Sequence, residues 1–113
     1  MVPAQGTDQP SKFTDEEIEK LAKAEHVRWV KQKIAACWHH GEETDKNSKI
    51  HKCLVPWQLS EPEIAADYTP DERDVLGAEE LPDEEKEKDH AFVRDIPTIL
   101  FLAGYILIKI SAD

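Results

Sequence analysis

His26, Trp29 and Lys33 stand three and four residues apart, with Glu25 and Arg28 beside them. On a helix such spacings bring side chains onto one patch of surface. The patch would hold an aromatic plate, an imidazole donor and a point positive charge, which suits a flat anion. Stacking of a base on an aromatic ring contributes about 1–3 kcal/mol, and a lysine ammonium adds a point charge for a phosphate. Arg28 is a further candidate anion partner, and Trp38, Trp57 and Tyr105 are candidate walls. The chain has no Gly-rich phosphate loop, so a nucleotide would have to be held by side chains and loop amides. The same residues have a plainer reading, in which the Trp29 ring is core and His26 and Lys33 border it with their polar ends in water.

Other chemistries fit less well. Cys37-x-His39-His40 and His51-x-Cys53 contain the ligand types zinc prefers, but their spacing matches none of the common zinc modules. The sequence calls for no metal and no cofactor. Glu25 and His26 are adjacent and so project about 100° apart on a helix, which prevents them from acting as an orienting pair. With no nucleophile motif either, the expectation is that the chain is not an enzyme.

The elements that must position these residues can be read in order. Thr14 as N-cap, Glu17 completing a capping box and Phe13 closing over Ile18 predict a helix from Thr14 to about Trp38. Its stripe runs Ile18, Leu21, Ala22, Glu25, His26, Trp29, Val30, Lys33, Ile34 and Cys37. Ile50 to Trp57 reads as an extended segment, because Pro56 biases Val55 away from helix. Ser60 to Glu63 and Thr69 to Glu72 each carry a capping-box pattern ahead of a short helix. Leu81-Pro82-Asp83 opens a second long helix with the inner stripe Asp89, Val93, Ile96, Leu100 and Ala103. Pro97 predicts a kink or break near Asp95, Gly104 a C-cap, and Tyr105 to Ile110 a closing strand. Residues 1–12 read as a loose tail. The expected fold is mainly α: a single domain of two long packed helices with two or three short strands, since neither one-sided helix can be buried without the other.

Charge narrows the partners. The 113 residues carry 24 acids against 14 bases, a net charge of −10, and residues 60–89 alone hold 13 acids and three bases. From Lys23 to Lys52 the balance reverses, with seven bases against four acids and four of the five histidines. A small anion would be drawn to the first half, whereas a nucleic acid polymer would meet the acidic stretch. No apolar run approaches the roughly 20 residues needed to span a bilayer. Two cysteines without a secretory signal read as free thiols in a reducing, cytoplasmic compartment.

The ordered string Glu25-His26, Trp29, Lys33-Ile34, Trp38, Gly41, His51, Cys53-Leu54-Val55-Pro56, Leu81-Pro82, Glu85-Lys86, Asp89 and Gly104-Tyr105 resembles the RyR domain. That module is named for its repeats in ryanodine receptor calcium channels, and single copies occur in shorter bacterial and phage proteins. On this resemblance residues 13–110 form the domain and 60–79 an acidic insertion. Ala36 and Cys37 stand where the family usually has a glycine, so the first helix is expected to run on a little. The resemblance implies a helical, non-enzymatic recognition module, with a nucleotide-type small molecule as the expected ligand. The alternative it leaves is a structural or protein-docking module. Because the channels carry these repeats in pairs, a single copy implies a homodimer.

Overall fold

The computed structural model describes residues 2–3 and 12–106. Helix α1 (Asp15–Ala35) begins as its sequence dictates: Thr14 accepts from the Glu17 backbone N–H, and the Glu17 carboxylate accepts from that of Thr14. The end differs from expectation. Instead of running on, α1 closes at Ala36, and Cys37 adopts φ 69°. Cys37 N–H bonds to Ile34 O and Trp38 N–H to Lys33 O. This is the Schellman pattern, with a cysteine where glycine is the low-cost residue.

Strands β2 (His39–His40) and β3 (Ile50–His51) then pair in parallel, His39 opposite Ile50 and His40 opposite His51. The buried run Cys53 to Trp57 follows, and its side chains divide between two clusters. Cys53, Val55 and Trp57 join Ile18, Ala22, Leu81 and Val93, while Leu54 joins Val30 and Tyr68. Short helices α2 (Glu61–Asp67) and α3 (Pro70–Val75) cover the second cluster. Thr69 makes its capping box with Glu72, but Ser60 makes no side-chain cap. Glu63, the partner Ser60 was expected to have, bonds instead to Lys23 of α1 at 3.0 Å and to Gln58. Lys23 also meets Asp67 at 3.2 Å, and Lys31 meets Glu72 at 2.7 Å, so the acidic stretch is held against basic residues of α1. Gly77 lies against the His40 ring: a β-carbon there would fall 2.6 Å from it, so a larger residue would need that ring to move.

Helix α4 (Asp83–Leu102) packs along α1. It continues through Pro97 rather than breaking near Asp95. The buried Pro97 ring costs one backbone hydrogen bond without ending the helix. Gly104, at φ 93°, follows the C-cap Ala103 and donates to Phe101 O. Strand β4 (Tyr105–Ile106) pairs antiparallel with β1 (Val2–Pro3), so part of the expected tail is paired. The remainder of that tail, and the predicted strand beyond Ile106, lie outside the described residues. The mainly α architecture of two long packed helices with short strands is as the sequence implies.

Candidate functional site

A cleft of about 220 Å³ opens where α1, the loop after β3 and the start of α4 converge. Helix α1 contributes Glu25, His26 and Trp29; the loop region contributes His51 and Cys53; and Leu81, Glu85, Lys88 and Asp89 come from α4 and its lead-in. His26 is 4% exposed, and its Nε2 donates to the Val55 carbonyl at 2.7 Å. Burial pushes the imidazole pKa below its ordinary value, despite the opposing pull of that bond and of Glu25. Trp29 is half-buried and packs against both core clusters while still lining the cleft. Its ring stacks on His26 at 5.9 Å between centroids and meets His51 edge-on at 4.9 Å. His51 is oriented in turn by Cys53, whose backbone N–H donates to His51 Nδ1 at 3.0 Å. In the neutral ring the proton therefore sits on Nε2.

Charge is uneven around the cleft: its lining holds the carboxylates of Glu25, Glu85 and Asp89 and the ammonium of Lys88, while Lys33, Lys52 and Lys46 lie beyond the lining, within electrostatic reach of His51. Burial, followed by Lys33, lowers the His51 pKa, and Lys52 and Lys46 act in the same direction from the basic side; Glu85 opposes them from the other. At the acidic end, Glu25 is chelated by Arg28, whose Nε and Nη2 donate at 2.8 and 2.6 Å. Glu85 pairs with Lys88 at 3.1 Å. Asp89 has no hydrogen bond or ion pair with any described residue. Partial burial, reinforced by the charges of Glu25 and Glu85 and opposed by His90, holds its carboxyl above the usual range.

Of the six residues marked from the sequence, the structure brings His26 and Trp29 together at the cleft. Lys33 lies over Trp38 at 4.6 Å and within 5.9 Å of the Trp29 ring centre, making these three a continuous aromatic and cationic rim. Arg28 is exposed and engaged by Glu25 and Gln32. Trp57 is 2% exposed, inside the core, so its ring is not a wall of the cleft. Its indole N–H donates to Glu19 at 2.8 Å, Lys86 lies over its face at 5.4 Å, and the His90 ring meets it edge-on at 5.6 Å. Among the described residues no group of three or more potential metal-ligating side chains is gathered.

The His-x-x-Trp pair of α1, braced by the His51-x-Cys-Leu-Val-Pro segment, is the centre of a larger likeness. Residues 11–78, more than half of the chain, match the family model of the RyR domain. The chain belongs to the RyR domain family. The match runs through α2 and most of the stretch read as an insertion, and it ends before α4. No curated protein and no solved structure matches the chain. In this RyR domain, Glu85, Lys88 and Asp89 of the cleft were missed as site residues because they lie over 50 positions from Trp29 in sequence. One signal for them was available: Asp89 is an acid on the otherwise apolar inner stripe of α4.

Proposed function

We propose that this RyR domain is a non-enzymatic recognition module that binds a small anionic aromatic ligand, such as a nucleotide, in the cleft beside Trp29. The observation that carries the reading is a partly exposed Trp29 ring lining the cleft, with Lys33 over its edge of the rim. A base would lie against Trp29 and His51, and its phosphate would face the Lys33 and Lys52 side. Because Trp57 is buried, closure over the ligand would have to come from outside its ring. Two free cysteines, one exposed and one buried, fit a reducing cytoplasmic setting; no helix among the described residues is long and apolar enough to cross a membrane. The test is a thermal-shift screen of nucleotides and cyclic nucleotides, followed by calorimetry, on the wild type, Trp29→Phe and Trp29→Ala. A ligand at 100 times its Kd should stabilise the wild type by about 2.7 kcal/mol. Trp29→Phe should retain binding and Trp29→Ala lose it; a wild type stabilised by no nucleotide would overturn the reading.

A specific observation also favours a docking role. Phe92, Ile99, Leu102 and Tyr105 are 54%, 55%, 80% and 45% exposed along and just beyond α4, away from the cleft. Such a face suits a second copy of the chain, giving a homodimer. Sedimentation at micromolar concentration should show a species of twice 12.9 kDa, and a strict 12.9 kDa monomer would exclude self-association there.

A further inference from the structure

The acidic lining bears on which ligand edge the cleft can accept. Three carboxylates face it, and two are already occupied: Glu25 by the Arg28 fork and Glu85 by Lys88. Asp89 is the third, lining the same cleft as Trp29 and His51 with no partner among the described residues. An ionised carboxylate can only accept hydrogen bonds. A half-buried one repelled by two neighbouring acids gains more than an exposed one from a pair of N–H donors.

We infer that Asp89 is the specificity residue of the cleft, accepting from a ligand edge that carries two adjacent N–H donors, and that among purine nucleotides the site therefore takes guanine over adenine. The inference rests on the cleft being a nucleotide site. Guanine presents a ring N–H beside an exocyclic amino group, and both can donate to one carboxylate. Adenine places a ring nitrogen lone pair beside its amino group, and that lone pair would face Asp89 unfavourably. Both purines offer the same stacking face to Trp29, so the ring accounts for affinity and Asp89 for the choice between bases. The phosphate, directed toward Lys33 and Lys52, is common to both ligands.

The experiment is calorimetric titration of the full chain with GMP and with AMP, for the wild type and Asp89→Asn. The asparagine is nearly isosteric and replaces one acceptor by a donor. Wild type should bind GMP at least about tenfold more tightly than AMP. Asp89→Asn should remove most of that preference, through weaker GMP binding with AMP unchanged or improved. Equal binding of the two nucleotides by wild type, or an undiminished guanine preference in Asp89→Asn, would overturn the role of Asp89 and leave the nucleotide site standing. Binding of neither nucleotide by a folded wild type would overturn both.

Discussion

Trp57 and Trp29 are surrounded by nearly the same kinds of residue, yet the two regions end in different states. Around Trp57, Glu19 accepts from the indole and contacts His90 at 2.7 Å, while Glu87 takes the other nitrogen of His90 at 3.2 Å. The ring itself is 2% exposed, with Lys86 over its face. Every polar group named there has a partner, and the arrangement fastens α4 to α1. Around Trp29 the inventory is again histidine, lysine and carboxylate, but the ring is partly exposed and Asp89 has no partner among the described residues. Composition does not separate a structural lock from a recognition surface. What separates them is whether the last acceptor has been satisfied from within the chain.

The strongest challenge to this contrast is truncation of each ring. Trp57→Ala should cost about 3–5 kcal/mol, read as a lowered midpoint in urea, because it empties a core position and removes the indole donor to Glu19. Trp29→Ala should cost less, about 2 kcal/mol, since part of its surface already meets solvent. It should nevertheless eliminate nucleotide binding. Equal costs for the two variants would mean that Trp29 is core and nothing more.

A pH series sharpens the comparison at the histidine between the rings, which lies 5.9 Å from Trp29 and 6.0 Å from Trp57. Burial lowers the His26 pKa in the folded state, so the unfolded chain binds its proton first as pH falls below the ordinary value of 6.5. Its neutral form therefore contributes full stability above 6.5, and that contribution declines on acidification. The slope is about 1.4 kcal/mol per pH unit until the folded value is reached. His26→Gln should flatten the thermal midpoint between pH 7 and 5.5 relative to wild type. Identical profiles for the two proteins would show that His26 does not titrate with unfolding.

The smallest expected effect belongs to Asp89. Its raised pKa means that folding disfavours its charge, so Asp89→Asn should raise the thermal midpoint slightly at pH 7, by a change worth less than about 1 kcal/mol. A lowered midpoint would indicate a structural role and would erase the distinction drawn between the two acids, Glu19 and Asp89.

How much of this was legible in the sequence follows from the range of each interaction. The Thr14 and Thr69 capping boxes are settled within three residues, and both form. Ser60 to Glu63 carries the same local pattern, but Lys23, 40 positions away, engages Glu63 and the local cap is not made. The helix end at Ala36 was misread because Cys37 gives no glycine signal and yet takes the left-handed position. The packing of α1 on α4 was legible from two one-sided stripes. Their relative rotation was not, and it decides that Trp57 is enclosed, that Trp29 is partly exposed, and that Glu85 and Asp89 line the same cleft.

The turn at Cys37 leaves the protein with two chemically distinguishable thiols. Cys37 stands exposed one residue before Trp38, whereas Cys53 is buried and its thiol is pushed up by burial and by Glu85. A maleimide dye at neutral pH will therefore attach at Cys37 in preference to Cys53. It will sit next to an indole able to quench it, at the end of the helix that carries Trp29 and Lys33. The unmodified sequence thus supplies its own attachment point for a fluorescent reporter, placed where ligand-dependent movement of the Lys33 and Trp38 rim would change the emission.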